Sequence, residues 1–396
     1  MSAGRFADGL EERAAAMLPE AVFRYFRQGS RDSTSTAEAV AAWDRHRFLP
    51  QVLRDVTEVD LRTTVLGAEL ASPFAVAPTA MQRAVHAEGE VAMARGIAAA
   101  GSLMVVSSNS GSTFEDIAAT GVTFWAQVYV TADRPACLPL LHRAATAGAQ
   151  AVVLTADTPV VGTKHDGEGP TIWELAGPDW SHANFPVGYG SSPGDAKATD
   201  LGPQDVEWLA RTTGLPVVVK GVLRADDARR CAEAGAAAVW VSNHGGRQFD
   251  GAAATADCLE SVVAEVGDDV EVYVDGGVRT ARHLVTAHAL GASAVFMGRP
   301  PVYALGTDGS TGVERLLDEL DAELVEALML LGCPSLDRVT PALLHRVRRP
   351  SRGVIGATPK RFDDPSGGYV MFCLSPGSGG TQSREAGRPA PGTHPH

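Results

Sequence analysis

Nowhere in the sequence do about 18 apolar residues run together, the least that a membrane-crossing helix needs. The amino terminus, MSAGRFADGLEERAAAM, sets acidic residues where a signal peptide requires an apolar stretch, so a soluble, cytoplasmic protein with no membrane partner is expected. Cysteine is scarce. Cys137, Cys231, Cys258, Cys333 and Cys373 lie far apart, with no C-x-x-C and no grouping with histidine, which argues against a disulfide framework and against a metal site and predicts reduced thiols. Positive charge is short as well: 34 Lys+Arg against 47 Asp+Glu leave a formal net charge of -13, which repels phosphate backbones and argues against nucleic acid as a partner. Neither a G-x-G-x-x-G fingerprint nor a phosphate loop is found, which weakens the reading of an open, doubly wound nucleotide-binding sheet.

What is present is ordinary globular composition, 45% hydrophobic and 20% charged, over 396 residues. Eight short apolar runs recur: FAVAP from Phe74, LMVVS from Leu103, FWAQVYV from Phe124, AVVLTAD from Ala151, PVVVKG from Pro216, AVWVSN from Ala238, VEVYVDGG from Val270 and AVFMGR from Ala294. Between them lie stretches apolar on one face and closed by glycine, such as EGEVAMARGIAAAG and ADDARRCAEAG, which read as helices with a glycine C-terminus. Eight alternating units, with strands apolar on both faces, predict an α/β fold of the (β/α)8 TIM-barrel type, with the open sheet as the alternative on pattern alone.

Residues 1–70 precede the first strand as a helical segment, with two helical stretches separated at Pro19 and the second ended by Gly29, expected to pack on the barrel as a lid or bottom plug. The barrel is assigned to 71–345. Its connection from Gly162 to Gly202 is too long for a plain turn and is placed over the barrel mouth. Residues 346–396 form a C-terminal extension whose last ~22 residues, rich in Pro, Gly and Ser, hold too little apolar surface to fold.

In such a barrel the loops at the carboxyl ends of the strands build the site. The residues there are Pro78, Thr79 and Ala80; Ser107 and Ser108; Gln127 and Tyr129; Thr155 and Asp157; Lys220; Ser242, Asn243, His244 and Arg247; Asp275, Gly276, Gly277 and Arg279; and Gly298 and Arg299. A lone polar residue at a strand end is ordinarily structural. So many at one end, each needing to be desolvated and satisfied, point to a ligand. DGGVR and the GR after the eighth strand place glycine-freed N–H groups beside Arg279 and Arg299, which suits a phosphate, and Lys220 suits a ligand that becomes anionic during reaction.

The segments SNHGGRQFDG from Ser242, APTAMQ from Ala77, QVYV from Gln127, TADTP from Thr155, VKG from Val219 and DGGVR from Asp275 resemble, in one order, the FMN-dependent α-hydroxy-acid oxidase and dehydrogenase family. The resemblance runs from about Leu18 to Leu344. It implies FMN as cofactor, oxidation of an L-2-hydroxy acid to the 2-oxo acid, and a homo-oligomer, a tetramer by likeness. It also implies His244 as base, Asp157 as the carboxylate that orients it and raises its basicity, and Tyr129 bonding the reacting hydroxyl. Arg247 and Tyr25 are implied for the substrate carboxylate, and Lys220 for the reduced flavin. Pro78, Thr79, Ala80, Ser107, Gln127, Thr155 and Ser242 are implied around the flavin ring and ribityl chain. Asp275, Gly276, Gly277, Arg279, Gly298 and Arg299 are implied around the ribityl and phosphate groups.

Two positions depart from the family pattern. Lys164 stands within GTKHDGEGP where most members have arginine, keeping the charge without the bidentate fork. Asn109 replaces the tryptophan of S-S-W, which opens the pocket to a substrate larger than glycolate, aromatic or a specialised biosynthetic intermediate. Trp173 and Trp180 in the long loop offer aromatic surface to such a side chain. Ala80 favours O2 as acceptor, giving H2O2. The alternatives are a dehydrogenase that hands electrons to another acceptor and a non-catalytic flavoprotein; an FMN barrel isomerase is disfavoured because H-G-G-R with two tyrosines suits a carboxylate-bearing alcohol.

Overall fold

The computed structural model describes residues 5–345 except 166, 168, 187–189 and 191–194, so the C-terminal extension expected at 346–396 lies outside the described residues. Eight parallel strands close into a barrel: β3 (Phe74–Val76), β4 (Leu103–Val106), β5 (Thr123–Val128), β6 (Val152–Thr155), β7 (Val217–Val222), β8 (Ala238–Val241), β9 (Glu271–Val274) and β10 (Ala294–Met297), with β10 pairing back onto β3. All eight expected strands are present, and every residue of β3, β4, β6, β8 and β10 is buried. Strands covered on both faces carry no alternating pattern, and their sequences are therefore unbroken apolar runs.

Two layers of core result. Outward-facing residues such as Val76, Val106, Leu154 and Val239 pack beneath the surrounding helices. Inward-facing Trp125, Trp240, Tyr273 and Phe296 fill the barrel, with the Trp240 and Phe296 ring centroids 3.9 Å apart. The interior is a packed core, and ligand space is left only at the carboxyl ends of the strands.

The segment before the barrel serves both of its ends. Strands β1 (Thr63–Val65) and β2 (Ala68–Leu70) form an antiparallel hairpin whose Val65 and Leu70 join the barrel-interior cluster, while Leu66 N–H donates to Glu271 at the start of β9. This hairpin is the bottom plug. Of the helices α1 (Leu10–Met17), α2 (Glu20–Arg27) and α3 (Thr34–Asp44), the second brings its carboxyl end to the barrel mouth: Arg247 donates to the carbonyls of Tyr25 and Gln28, and Arg299 to that of Phe26. Cations at a helix carboxyl end satisfy carbonyls that have no partner within the helix. The third helix, absent from the sequence reading, tucks Trp43 under the mouth, where its indole N–H donates to Gly276 O at 2.7 Å.

The connection from Gly162 to Gly202 is less formless than expected. It contains a helical turn at Ile172–Leu175, and residues 196–198 return antiparallel onto 130–132, with Ala132 N to Ala196 O at 2.7 Å and Ala198 N to Val130 O at 2.8 Å. No helix among the described residues is long and apolar enough to cross a membrane, and no disulfide or metal-ligating cluster occurs among them.

Candidate active site

Most of the residues singled out at the strand ends, though not Ser108 or Asn243, converge on one cavity of about 380 Å³, and all of the assigned site residues except Asp157 and Ser242 line it. These two stand directly behind the lining. Ser242 is fully buried: its hydroxyl accepts from Lys220 Nζ at 2.7 Å and from His244 N–H at 3.1 Å and donates to Asp275 at 2.7 Å. It holds the lysine and the backbone of the histidine in place, instead of facing a ligand. Lys220 also lies 3.4 Å from Asp275, so its ammonium is buried with a carboxylate and a hydroxyl as partners. On the neighbouring strands, Gln127 accepts from Ser108 N–H and donates to Thr155 at 3.0 Å.

Asp157 meets the His244 ring, Oδ1 to Nδ1, at 3.0 Å. A carboxylate accepts, so Nδ1 carries the proton and Nε2 is the ring's basic nitrogen. The approach depends on Gly221, which follows Lys220 at φ 110°: a β-carbon there would come within 2.6 Å of the Asp157 side chain. His244 itself sits at φ 58°, a left-handed conformation that costs a non-glycine residue energy and collects at functional sites.

The sequence reading gave Asp157 the effect of raising the basicity of His244, and that contribution is present. Burial is larger, however, and with Lys220 and Arg247 nearby the imidazole is held below its ordinary range. His244 is therefore neutral at pH 7, ready to accept a proton. Burial pushes Asp157 up, but His244, Lys220 and the Thr158 hydroxyl pull it down to about 2, so it stays ionised.

The mouth of the cavity holds the expected carboxylate binders. The Arg247 guanidinium lies 4.8 Å from the Tyr25 ring centroid, and the half-buried Tyr129 completes that wall. Burial pushes the Tyr129 phenol upward, so it remains protonated and able to donate. Lys164 lines the cavity but turns its Nζ to the carbonyl oxygens of Gly162 and Arg247, which accounts for a lysine where a fork would have faced the ligand. Trp173 lines the cavity and meets Tyr25 edge to face, whereas Trp180 does not line it and packs near Gly111. The sequence reading missed Arg24, Gln28 and Lys197 on the wall. No motif marks them, because the first two reach it from the N-terminal segment and the third from the returning arm of the long loop.

Next to Arg247, which shares the Gln28 carbonyl with Arg299, the cavity wall fits a phosphate. Arg279 and Arg299 line it, and their guanidinium hydrogen bonds run to carbonyl oxygens of Val278, Phe26 and Gln28, with no carboxylate within ion-pair distance among the described residues. Burial, with Arg247 and Arg279 close by, pushes Arg299 down to about 9. A dianion relieves that repulsion. Gly298, just before the helical segment that begins at Arg299, leaves room: a β-carbon on it would meet only Thr79, at 3.7 Å. Gly277 serves packing instead, since a β-carbon there would strike Ala39 O at 2.4 Å. Two unneutralised arginines at one end, with Lys220 deeper in, suit the phosphate and the ring of FMN.

Comparison with known proteins agrees. The family model described as FMN-dependent dehydrogenase matches residues 14–346. The chain is 37% identical to human 2-hydroxyacid oxidase 1 over 85% of its own length and 95% of the relative's. It is 38% identical to the L-lactate oxidase of Nostoc sp. over 85% and 96% of the two chains. A solved structure of mandelate oxidase with (S)-2-phenylpropionate superposes with a TM-score of 0.78 at 37% identity, covering 87% of this chain and 98% of that one. The chain belongs to the FMN-dependent α-hydroxy-acid oxidase and dehydrogenase family, and FMN is its cofactor.

Proposed function

We propose that this enzyme oxidises an (S)-2-hydroxy acid larger than glycolate to the 2-oxo acid, with dioxygen as the final acceptor and hydrogen peroxide as the second product. The observation that carries the reading is His244, oriented by Asp157 at 3.0 Å, in the same cavity as Arg247 and Tyr25. Relatives named for the oxidation of 2-hydroxy acids and lactate support the reaction class.

Arg247 and Tyr25 hold the substrate carboxylate, which fixes the carbinol carbon against the base. Tyr129 donates to the reacting oxygen. His244 Nε2 accepts one of the two protons released from the H–C–O–H unit, and Asp157 stabilises the imidazolium that forms. Bound FMN would supply the two-electron acceptor that passes the electron pair on to dioxygen. Lys220 places positive charge where that acceptor gains negative charge.

Substrate size rests on Asn109. Its backbone is pinned between the Ser107 hydroxyl, 3.2 Å from its N–H, and Met81 N–H, 3.3 Å from its carbonyl, and the residue lines the cavity. Asn109→Trp is expected to lower kcat/KM for bulky 2-hydroxy acids at least tenfold more than for small ones, since one methylene already discriminates by ~1 to 3 kcal/mol. Equal losses across a size series would show that residue 109 does not set the pocket's volume. The reaction itself is tested by an anaerobic bleaching screen of 2-hydroxy acids followed by admission of oxygen. Bleaching with stoichiometric peroxide is expected. Bleaching without peroxide would instead indicate a dehydrogenase, and no bleaching by any member a flavin carrier without this activity.

A further inference from the structure

Each cation on the cavity wall but one has a partner or an assignment. Arg279 and Arg299 face the phosphate end, Lys220 is paired with Asp275 and Ser242, and Arg247 stands with Tyr25. Lys164 donates to two carbonyls, while Arg24 bonds Pro170 O and pairs with Glu20. Lys197 is left over. Among the described residues its ammonium has no hydrogen-bond acceptor and no carboxylate within ion-pair distance; its one close contact is the face of Tyr129, with Nζ 3.7 Å from the ring centroid.

The position is built, not incidental. The antiparallel return of 196–198 onto 130–132 fixes the Lys197 backbone beside the chain that leaves β5 and carries Tyr129. The side chain is half-buried, and burial pushes the ammonium down to about 8 although Asp157 draws it up. A cation desolvated against a ring face recovers only part of its hydration, and an anion arriving from the cavity would restore the rest. Asn109 adds a second observation. The residue lines the same cavity, and its carboxamide makes no hydrogen bond to any described residue. An apolar substrate tail would leave both groups unsatisfied.

We propose that Lys197 receives a second acidic group on the substrate, so that the 2-hydroxy acid is a diacid whose α-carboxylate goes to Arg247 and whose side-chain acid goes to Lys197. This rests on reading the site as a 2-hydroxy-acid oxidase and narrows the substrate class. Tyr129, which bonds the reacting hydroxyl, lies directly under the ammonium, so the second acid belongs a short chain away from the carbinol carbon.

The test is equilibrium binding to the FMN-loaded enzyme, read from the perturbed flavin spectrum. Four- to six-carbon 2-oxo diacids are each compared with the 2-oxo monoacid that carries methyl in place of the terminal carboxylate. A charge-assisted contact predicts a preference for at least one diacid on the order of 10- to 100-fold. That preference is expected to collapse in Lys197→Met and to be largely kept in Lys197→Arg. No diacid preference in the unmodified enzyme, or a preference that Lys197→Met leaves intact, would overturn the assignment. The binding ratio needs no turnover, so it stands apart from the reaction: if no 2-hydroxy acid bleaches the flavin, the oxidase reading fails while the ratio still decides the role of Lys197.

Discussion

Flavin reduction by substrate is expected to slow by roughly 10²- to 10⁴-fold in His244→Asn, the range that general-base assistance commonly supplies, with FMN still bound. Asparagine is the informative replacement. Residue 244 sits at φ 58°, and asparagine tolerates that left-handed conformation better than most residues, so the turn carrying Gly245 to Arg247 is disturbed least. What disappears is the basic Nε2, and no other histidine among the described residues lines the cavity. FMN is retained because the groups assigned to it, Arg279, Arg299 and Lys220, donate their hydrogen bonds to partners other than the His244 ring. Anaerobic single-turnover mixing measures the step directly. An unchanged rate constant would remove His244 from the chemistry, and a colourless variant would move its role to cofactor retention.

The barrel was readable because its strands are buried on both faces and spell themselves out as apolar runs. The same logic explains what was missed. β1 and β2 are three residues each, joined through Leu66 and Gly67, both at positive φ, and contribute only Val65 and Leu70 to the interior. A hairpin that short has no period to detect, and leucine is a poor advertisement for a turn of that type. The helix Thr34–Asp44 begins TSTAEA, where hydroxyl side chains compete for backbone hydrogen bonds, and its anchor, Trp43, is recognisable only once Gly276 O is beside it.

For the site, most of the cavity-lining groups are legible because ligand groups of a barrel sit at strand ends and the strands stand out as apolar runs. Ser242 shows the limit. It occupies a strand end yet serves Lys220, Asp275 and the His244 backbone from behind, a distinction that depends on which way a buried hydroxyl points. Lys164 shows another. Sequence preserves its charge at a substrate position, but its ammonium turns toward the carbonyls of Gly162 and Arg247. Lys197 is the converse: an ordinary lysine in a Gly- and Pro-rich loop acquires significance only through the strand-like return that sets it over Tyr129.

Asp157→Asn is expected to cut the pH-independent rate of flavin reduction by roughly 10²- to 10⁴-fold, again the range of acid–base assistance, and to move the acid limb of its pH profile downward. The base acts in its neutral form, so the rate rises as pH climbs through the pKa of His244 and then levels off. Burial already holds that pKa below 6.5 in the unmodified enzyme, and Asp157 is the influence opposing burial. Without the carboxylate, desolvation, Lys220 and Arg247 act unopposed and the midpoint falls further. A lower midpoint alone would leave more neutral base at pH 7, so a simple titration argument predicts no loss there. The loss arises because the imidazolium formed during proton acceptance loses its counter-charge, and because an asparagine amide can donate to Nδ1, leaving the proton on Nε2 where it cannot serve. The two readouts therefore move in opposite senses: the midpoint improves while the plateau collapses. A midpoint that shifts upward, or a plateau that survives, would show that Asp157 neither orients His244 nor balances its charge.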